Sequence, residues 1–164
     1  MDIRATSAED WERFRDTRLA SLTDSPDAFS GTLENESLMT EPDWRRWATP
    51  GPIGSCFAAI EDGTWIGMCC VLVRDAAAGP QLVAVWVHPE YRSAGIGSAL
   101  VEAAVVWCRQ NHHSRVRLWV NAASEPAQRL YEATGYVSTG ESAPYTRRPE
   151  LTKILMSRST GPDS

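Results

Sequence analysis

The chain has 164 residues, of which 43% are hydrophobic and 23% are charged, as is usual for a soluble globular protein. Its formal net charge of −5 argues against nucleic acid as a partner, because binding to a phosphate backbone requires a basic surface. No apolar run approaches the ~20 residues of a membrane span, and acidic residues interrupt the amino-terminal region where a signal peptide would be apolar. We therefore expect a cytoplasmic protein with no membrane partner. We also expect a single domain over residues 1–158 and a flexible C-terminal tail over residues 159–164.

The four cysteines show no metal-ligand spacing relative to the histidines. Cys69 and Cys70 are neighbours on a predicted strand, so their side chains are expected to point to opposite faces. We expect Cys56, Cys69, Cys70 and Cys108 to be reduced thiols, as is usual in the cytosol, and we expect no bound metal.

The first half of the chain predicts a strand, two helices and a hairpin. A short strand covers residues 3–6, and Ser7 with Asp10 three residues later predicts the N-cap of a helix that ends before Pro26. A second, short helix follows Pro42. Residues 55–61 and 64–74 have the composition of two strands joined by a tight turn.

The second half alternates strands with helices. Residues 82–87 are a β-branched and aromatic run that predicts a strand buried on both faces, and a helix is expected from the following turn to about Asn111. A strand over residues 116–120 leads to a helix that Ser124 caps and Gly135 ends. Residues 137–140 and 151–156 are predicted as the last two strands, with a frayed tail from Ser157.

The turn at residues 92–97 has the chemistry of a phosphate-binding site. It opens a helix, whose first four N–H groups have no partner within the helix and point at whatever lies over its end. Gly95 and Gly97 lack a Cβ and so admit a bulky anion, and Arg92 adds a positive charge. An ordinary strand–turn–helix connection is the alternative interpretation. A Walker A loop is excluded because no lysine follows, and a dinucleotide fingerprint is excluded because Leu100 stands where the third glycine belongs.

The pattern Arg92-x-x-Gly95-x-Gly97, after a strand that leads to Pro89, resembles the pyrophosphate signature of the GNAT superfamily of acyl-CoA-dependent N-acetyltransferases. A second segment also resembles that family, with Ser124 at a common asparagine position and Tyr136 at a phenylalanine position. It consists of Asn121, Ser124, Ala127, Leu130, Tyr131, Gly135 and Tyr136. The resemblance covers nearly the whole chain. It implies an α/β (α+β) GNAT fold, with a central mixed, mostly antiparallel sheet of six to seven strands flanked by about four helices.

The resemblance also implies an activity: transfer of an acetyl group from acetyl-CoA to a primary amine of a small molecule or peptide, by direct attack in a ternary complex. Two strands are expected to splay apart and admit the pantetheine arm, and Tyr131 is the expected general acid. The implied cofactor-binding residues are Val85, Trp86, Val87, Arg92, Ser93, Ala94, Gly95, Ile96, Gly97, Ser98, Asn121, Ser124 and Ala127. A protein lysine or N-terminal acetyltransferase and a non-catalytic CoA-binding sensor module remain open as alternatives.

Several roles stay open at this level. Gln81 occupies the position where many relatives carry a carboxylate that acts as general base, so the base is unassigned. The candidates are His88, Glu34, Glu36 and a water chain to a surface carboxylate, and an amine of low pKa would need no dedicated base. The alternative to a role of Tyr131 as general acid is packing in the core, and the alternative to cofactor binding by Asn121 is forming a turn. The tryptophans at positions 44, 47, 65 and 86 suit either a core or an aromatic acceptor pocket. Relatives often dimerise through their last strands, so a homodimer is expected to use residues 151–156 as an edge strand.

Overall fold

In the computed structural model, which describes residues 1–161, seven strands form one sheet in the order β1-β2-β3-β4-β5-β7-β6. Neighbouring strands run antiparallel except β4 and β5, which run parallel. The strands are β1 (Asp2–Ala5), β2 (Gly54–Glu61), β3 (Thr64–Leu72), β4 (Gln81–Val87), β5 (Arg115–Asn121), β6 (Val137–Pro144) and β7 (Thr152–Ser159). This confirms the predicted mixed, mostly antiparallel sheet.

Five α-helices cover the two faces of the sheet within the described residues. They are α1 (Trp11–Asp24), α2 (Leu33–Glu36), α3 (Glu41–Ala48), α4 (Ile96–Gln110) and α5 (Glu125–Ala133). The sequence did not predict α2, because a single turn of four residues is too short to show helical periodicity. The order of the other elements agrees with the prediction, and their ends differ by a few residues.

Each face of the sheet has its own core. Leu100, Val101 and Val105 of α4 are fully buried on one face, in a cluster that also contains Tyr131 of α5. On the other face, Phe14 of α1 packs edge-to-face against Trp44 and Trp47 of α3. The apolar stripe of α4 therefore faces the sheet.

A bulge in β4 marks the middle of the sheet. Met68 of β3 pairs with Trp86, but Cys70 pairs with Val83, so β4 has one more residue than β3 between these pairs. Ala84 takes up this extra residue in the left-handed conformation, with φ at 56°. Beyond the bulge β4 leaves β5, since the two strands share only the residue pair Gln81 and Arg117. The predicted splay is therefore present.

The prediction that β4 is buried on both faces is wrong for part of the strand. Leu82, Ala84 and Trp86 are buried, whereas the intervening valines, including Val85 and Val87, are half-buried. The reason is the gap toward β5, which removes the neighbour that would have covered one edge of the strand.

The prediction of four reduced cysteines is wrong for one pair. Cys56 and Cys70 form a disulfide, because the antiparallel register of β2 and β3 places them directly opposite each other. Cys69 and Cys108 are free and buried. Cys69 and Cys70 belong to the cores on opposite faces of the sheet, as strand alternation predicts.

The C-terminal predictions need two corrections. The strand predicted at residues 151–156 is not an edge strand, because β7 lies between β5 and β6 and the edge is formed by β6. The chain does not fray from Ser157, and no flexible tail begins at residue 159: β7 continues to Ser159, and Thr160 is buried with its carbonyl accepting from Arg109 Nε at 2.6 Å. Residues 162–164 of the predicted tail lie outside the described residues.

Within residues 1–161, no helix is both long and apolar enough to span a membrane. The same part of the chain contains no group of three or more His, Cys, Asp or Glu side chains arranged to hold a metal ion.

Candidate active site

The turn before α4 presents a row of unpartnered backbone donors. The N–H groups of residues 93–98 make no hydrogen bond to any group of residues 1–161. Ser93 and Gly95 both adopt positive φ, at 67° and 82°, so the backbone curls around its own N–H groups. Such a concave set of donors at a helix N-terminus is suited to bind a phosphate group.

The two glycines of this turn, Gly95 and Gly97, have different surroundings. A Cβ on Gly95 would meet nothing within 4 Å, so the space beside this position is open, and its positive φ favours glycine. A Cβ on Gly97 would lie 3.2 Å from Leu130 Cδ2 and 3.8 Å from Val87 Cγ2. The expectation that Gly97 also clears space for an anion therefore needs correction, because its missing side chain lets α4 pack closely against α5 and β4.

The Arg92 side chain is held within the protein. Its Nε donates to the carbonyl oxygen of Val87 at 2.9 Å, and its guanidinium forms an ion pair with Asp24 at the end of α1. Asp24 Oδ2 also accepts from Trp86 Nε1 at 3.0 Å and from the Ser25 hydroxyl at 2.7 Å. These interactions lower the pKa of Asp24 to about 2; the indole hydrogen bond has the largest effect, and burial opposes it. Asp24 was not identified from the sequence, because its partners are distant in the chain.

A cavity of about 90 Å³ occupies the gap between β4 and β5. It is lined by Ala28, Phe29, Leu82, Val83, Ala84, Val85, Trp119, Val120, Asn121, Ser124, Ala127 and Tyr131. Five of the predicted site residues therefore meet here: Val85, Asn121, Ser124, Ala127 and Tyr131. The predicted residues 92–98 form the separate turn before α4, and Trp86 and Val87 lie on the stretch of β4 between the two places.

Tyr131 lines this cavity and is 8% exposed. Its hydroxyl has no hydrogen-bond partner among residues 1–161, and its ring packs edge-to-face against Tyr136 with centroids 5.8 Å apart. Burial raises the pKa of the Tyr131 phenol well above its usual range. The phenol therefore keeps its proton at neutral pH, as a general acid must.

Asn121 and Ser124 are engaged in local structure at the cavity wall. Asn121 Oδ1 accepts from the Ala123 N–H at 2.8 Å, and its Nδ2 donates to the carbonyl oxygen of Asp27 at 3.0 Å. Asn121 therefore forms a turn, which is the alternative role considered for it from the sequence. It also fixes the loop that carries Phe29. Ser124 Oγ accepts from the Ala127 N–H at 3.4 Å and so caps α5.

The candidates for a general base are placed away from the cavity or are already paired. His88 Nδ1 accepts from the Glu90 N–H at 3.2 Å, which makes it a capping group. Glu36 binds the guanidinium of Arg18 at 2.8 and 3.0 Å. Gln81 and Glu34 do not line the cavity. The structure therefore identifies no carboxylate or imidazole at the cavity wall among the described residues.

The tryptophans suggested for an acceptor pocket belong to the core. Trp44, Trp65 and Trp86 are between 2% and 9% exposed, and Trp47 stacks on Trp44 with centroids 5.9 Å apart. None of the four lines the cavity. Besides Tyr131, the aromatic residues that line the cavity are Trp119 and Phe29. Trp119 could have been identified from the sequence, because strand alternation places it on the same face as Asn121.

Together, these features define a class of protein with a mixed sheet that opens between two parallel strands and with a turn of unpartnered backbone donors, among the described residues, at the start of a helix. The sequence model of the Acetyltransferase (GNAT) family matches residues 11–136, and the chain belongs to this family.

The chain resembles several proteins of known type. It is 31% identical to N-acetylaspartate synthetase from Danio rerio over 108 residues, which are 65% of this chain and 38% of that protein. It is also 31% identical to mycothiol acetyltransferase from Thermobispora bispora over 132 residues, 77% of this chain and 43% of that protein. The chain thus spans less than half the length of these relatives.

Solved structures show the same fold. An acetyltransferase from Salmonella typhimurium, solved with its cofactor acetyl-CoA, has a TM-score of 0.81 at 14% identity and covers 100% of this chain and 96% of that chain. A GNAT-family acetyltransferase from Streptococcus pneumoniae has a TM-score of 0.78 at 19% identity, over 98% of this chain and 99% of that chain.

Proposed function

We propose that this protein is an N-acetyltransferase that moves an acetyl group from acetyl-CoA to a primary amine of a small molecule or peptide. One observation carries the proposal: the strand that borders the cavity, β4, leads directly into residues 93–98, whose N–H groups have no partner among the described residues. A ligand with a phosphate-bearing end and an extended arm fits this order of features. We also propose that residues 1–158 act as one catalytic domain.

Acetyl-CoA supplies the acetyl group as a thioester, whose carbonyl carbon is attacked by the amine nitrogen while the carbon–sulfur bond breaks. The N–H groups of residues 93–98 bind the pyrophosphate. The free edge of β4 at Val85, Trp86 and Val87 pairs with the amide groups of the arm through its backbone, since the Trp86 side chain is buried on the opposite face. Asn121, Ser124 and Ala127 form the wall that confines the arm.

Tyr131 donates its phenolic proton to the leaving sulfur. Its buried position and raised pKa keep the proton available at neutral pH, and its hydroxyl is not committed to another group of the described residues. The amine is expected to lose its proton to solvent, because no carboxylate of residues 1–161 lines the cavity. This predicts turnover that rises with pH as the fraction of neutral amine increases.

Calorimetric titration with acetyl-CoA, followed by thiol release with a panel of amines, tests the proposal. Micromolar binding with thiol release on one class of small amine supports it. Binding without release on any amine or peptide would instead indicate a CoA-binding sensor module. Release only with proteins would indicate a protein acetyltransferase, and absence of binding would contradict the whole assignment.

We propose two further properties, the oligomeric state and the location. A homodimer is supported by β6, which forms the sheet edge and has mostly exposed residues, Val137 among them at 62%. Sedimentation of the protein and of a Val137→Lys variant tests this pairing. A cytoplasmic location is supported by the nature of the proposed donor, acetyl-CoA, which is an intracellular metabolite.

A further inference from the structure

The acceptor side of the cavity can be identified from strand alternation. Val116, Leu118 and Val120 of β5 point into the core under α4 and α5, which also contains Tyr131. Trp119 and Asn121 therefore point to the opposite face, yet they line the same cavity as Tyr131. The cavity thus passes between β4 and β5 from one face to the other. Given an acyl carrier beside Tyr131, the amine reaches it from the face of Trp119.

Cationic side chains flank Trp119 on that face. Arg117 lies two residues earlier on β5, and Lys153 lies directly across from Asn121 on β7. The Lys153 ammonium is 4.6 Å from the centroid of the Trp119 ring. Burial lowers the pKa of Lys153, and the charge of Arg74 lowers it further, so a third cation is close.

These cations have no anionic partner among residues 1–161: neither Arg117 nor Lys153 forms an ion pair there. Arg117 Nε is buried and makes no hydrogen bond to any group of residues 1–161. Ser157 lies opposite it in the register, but Ser157 Oγ accepts from Arg115 instead. Asp27, in the loop that carries Phe29, is already bound by Arg148. A buried guanidinium nitrogen without an acceptor costs stability, and an anionic ligand bound at the rest of the same guanidinium would offset part of that cost.

We propose that the acceptor is an amino acid, whose carboxylate is bound by Arg117 and Lys153 while its amine enters the cavity beside Trp119. This inference rests on the proposed acetyltransferase function and specifies its substrate. The net charge of −5 would by itself favour a cationic acceptor. The proposed acceptor carries a carboxylate instead, because the side chains at this site are positive although the protein as a whole is negative. A guanidinium suits this role, since it binds carboxylates through paired, directional hydrogen bonds.

Matched acceptors test the proposal by thiol release. The rate of thiol release with L-alanine, L-phenylalanine and L-aspartate is compared with the rate for the corresponding amide, in which each carboxylate is replaced by a carboxamide. Amidation lowers the pKa of the α-amine and so raises its neutral, reactive fraction; a preference for the acid must therefore come from the protein. We expect kcat/KM to be at least tenfold higher for at least one acid than for its amide.

Variants assign the preference to the two residues. Arg117→Met and Lys153→Met should each raise KM for the preferred acid about tenfold or more and leave the amide within about twofold. The dissociation constant of acetyl-CoA should not change. Arg46→Met, at an exposed position of α3, is the matched control and should change the kinetics of neither substrate. Arg117→Met should also raise Tm by about 2 °C, because it removes a buried, unpartnered nitrogen.

The outcomes separate the two proposals. If acetyl-CoA binds and an amine is acetylated, but amides are preferred or the variants affect acids and amides alike, the carboxylate site is wrong and the acetyltransferase function stands. A lower Tm for Arg117→Met, with acid and amide equally affected, would assign Arg117 a structural role and would also contradict the proposal. If acetyl-CoA fails to bind, both proposals fail.

Discussion

Asp24 Oδ2 accepts a hydrogen bond from Trp86 Nε1 at 3.0 Å, so the last residue of α1 is fixed to the strand that borders the cavity. The same oxygen binds Arg92, at the start of the turn before α4. One carboxylate therefore joins three segments that the proposed reaction needs in fixed relative positions: the end of α1, β4 and the turn before α4.

Asp24→Asn should lower the free energy of unfolding by about 2 kcal/mol at pH 7, because it weakens several charge-assisted hydrogen bonds. The pKa of Asp24 is about 2 in the folded protein, below the usual value for an unfolded aspartate. The extra stability is thus fully present above about pH 4 and is lost as the pH falls toward 2. Urea unfolding of both proteins at pH 7 and pH 3 measures this, with Asp16→Asn as an exposed control. A difference that does not shrink at pH 3 would contradict the assignment.

Ala94→Glu should weaken acetyl-CoA binding at least about tenfold, because it adds a negative charge beside the unpartnered N–H groups. Ala94 is exposed and has no positive φ, so the fold should tolerate the change. The loss should diminish at high salt, since the repulsion is screened. Calorimetry at two salt concentrations checks both points. Ala133→Glu, exposed at the far end of α5, is the control. Equal acetyl-CoA affinities of the two variants would show that the phosphate does not bind at this turn.

Tyr131→Phe should reduce turnover roughly 100-fold and leave the acetyl-CoA dissociation constant within about twofold, because only proton donation is lost. Tyr136→Phe is a matched control: its ring touches that of Tyr131, and its hydroxyl is buried without a partner. That variant should keep full turnover and be equally or more stable. Steady-state kinetics of both variants from pH 6 to pH 9 provide the comparison. If Tyr131→Phe keeps full turnover, Tyr131 is not the general acid and acts only in packing.

The Cys56–Cys70 disulfide predicts a specific labelling pattern. In denaturant without reductant, an alkylating reagent should modify only Cys69 and Cys108, and four cysteines should react after reduction. Intact-mass spectrometry counts the adducts. Because the bridge spans a sequence separation of 14, its reduction should also cost about 3 kcal/mol of stability. Four adducts on the air-oxidised protein without reductant would show that the bridge does not form.

The parts of the fold that could be predicted from the sequence depend on short-range patterns. The turn with Arg92 and Gly95 and the cap at Ser124 are each contained within a few residues, so local chemistry identifies them. The Cys56–Cys70 pairing, the burial of β7 between two strands and the isolation of Arg117 depend on register between distant segments. Composition carries no information about register, which is why these features appeared only in the structure. The role of Gly97 was misjudged for the same reason, since Leu130 comes from another helix.

The single residue pair between β4 and β5 divides the sheet into two antiparallel halves, one of four strands and one of three. Few backbone hydrogen bonds join these halves, so each can open without first breaking the other. In native-state hydrogen exchange the two halves should behave as separate cooperative units with different opening free energies. A bound acyl carrier that pairs with the free edge of β4 would supply the missing connection between the halves. Ligand binding would then merge the two exchange units into one, and the substrate would act as a structural element of the sheet on which it reacts.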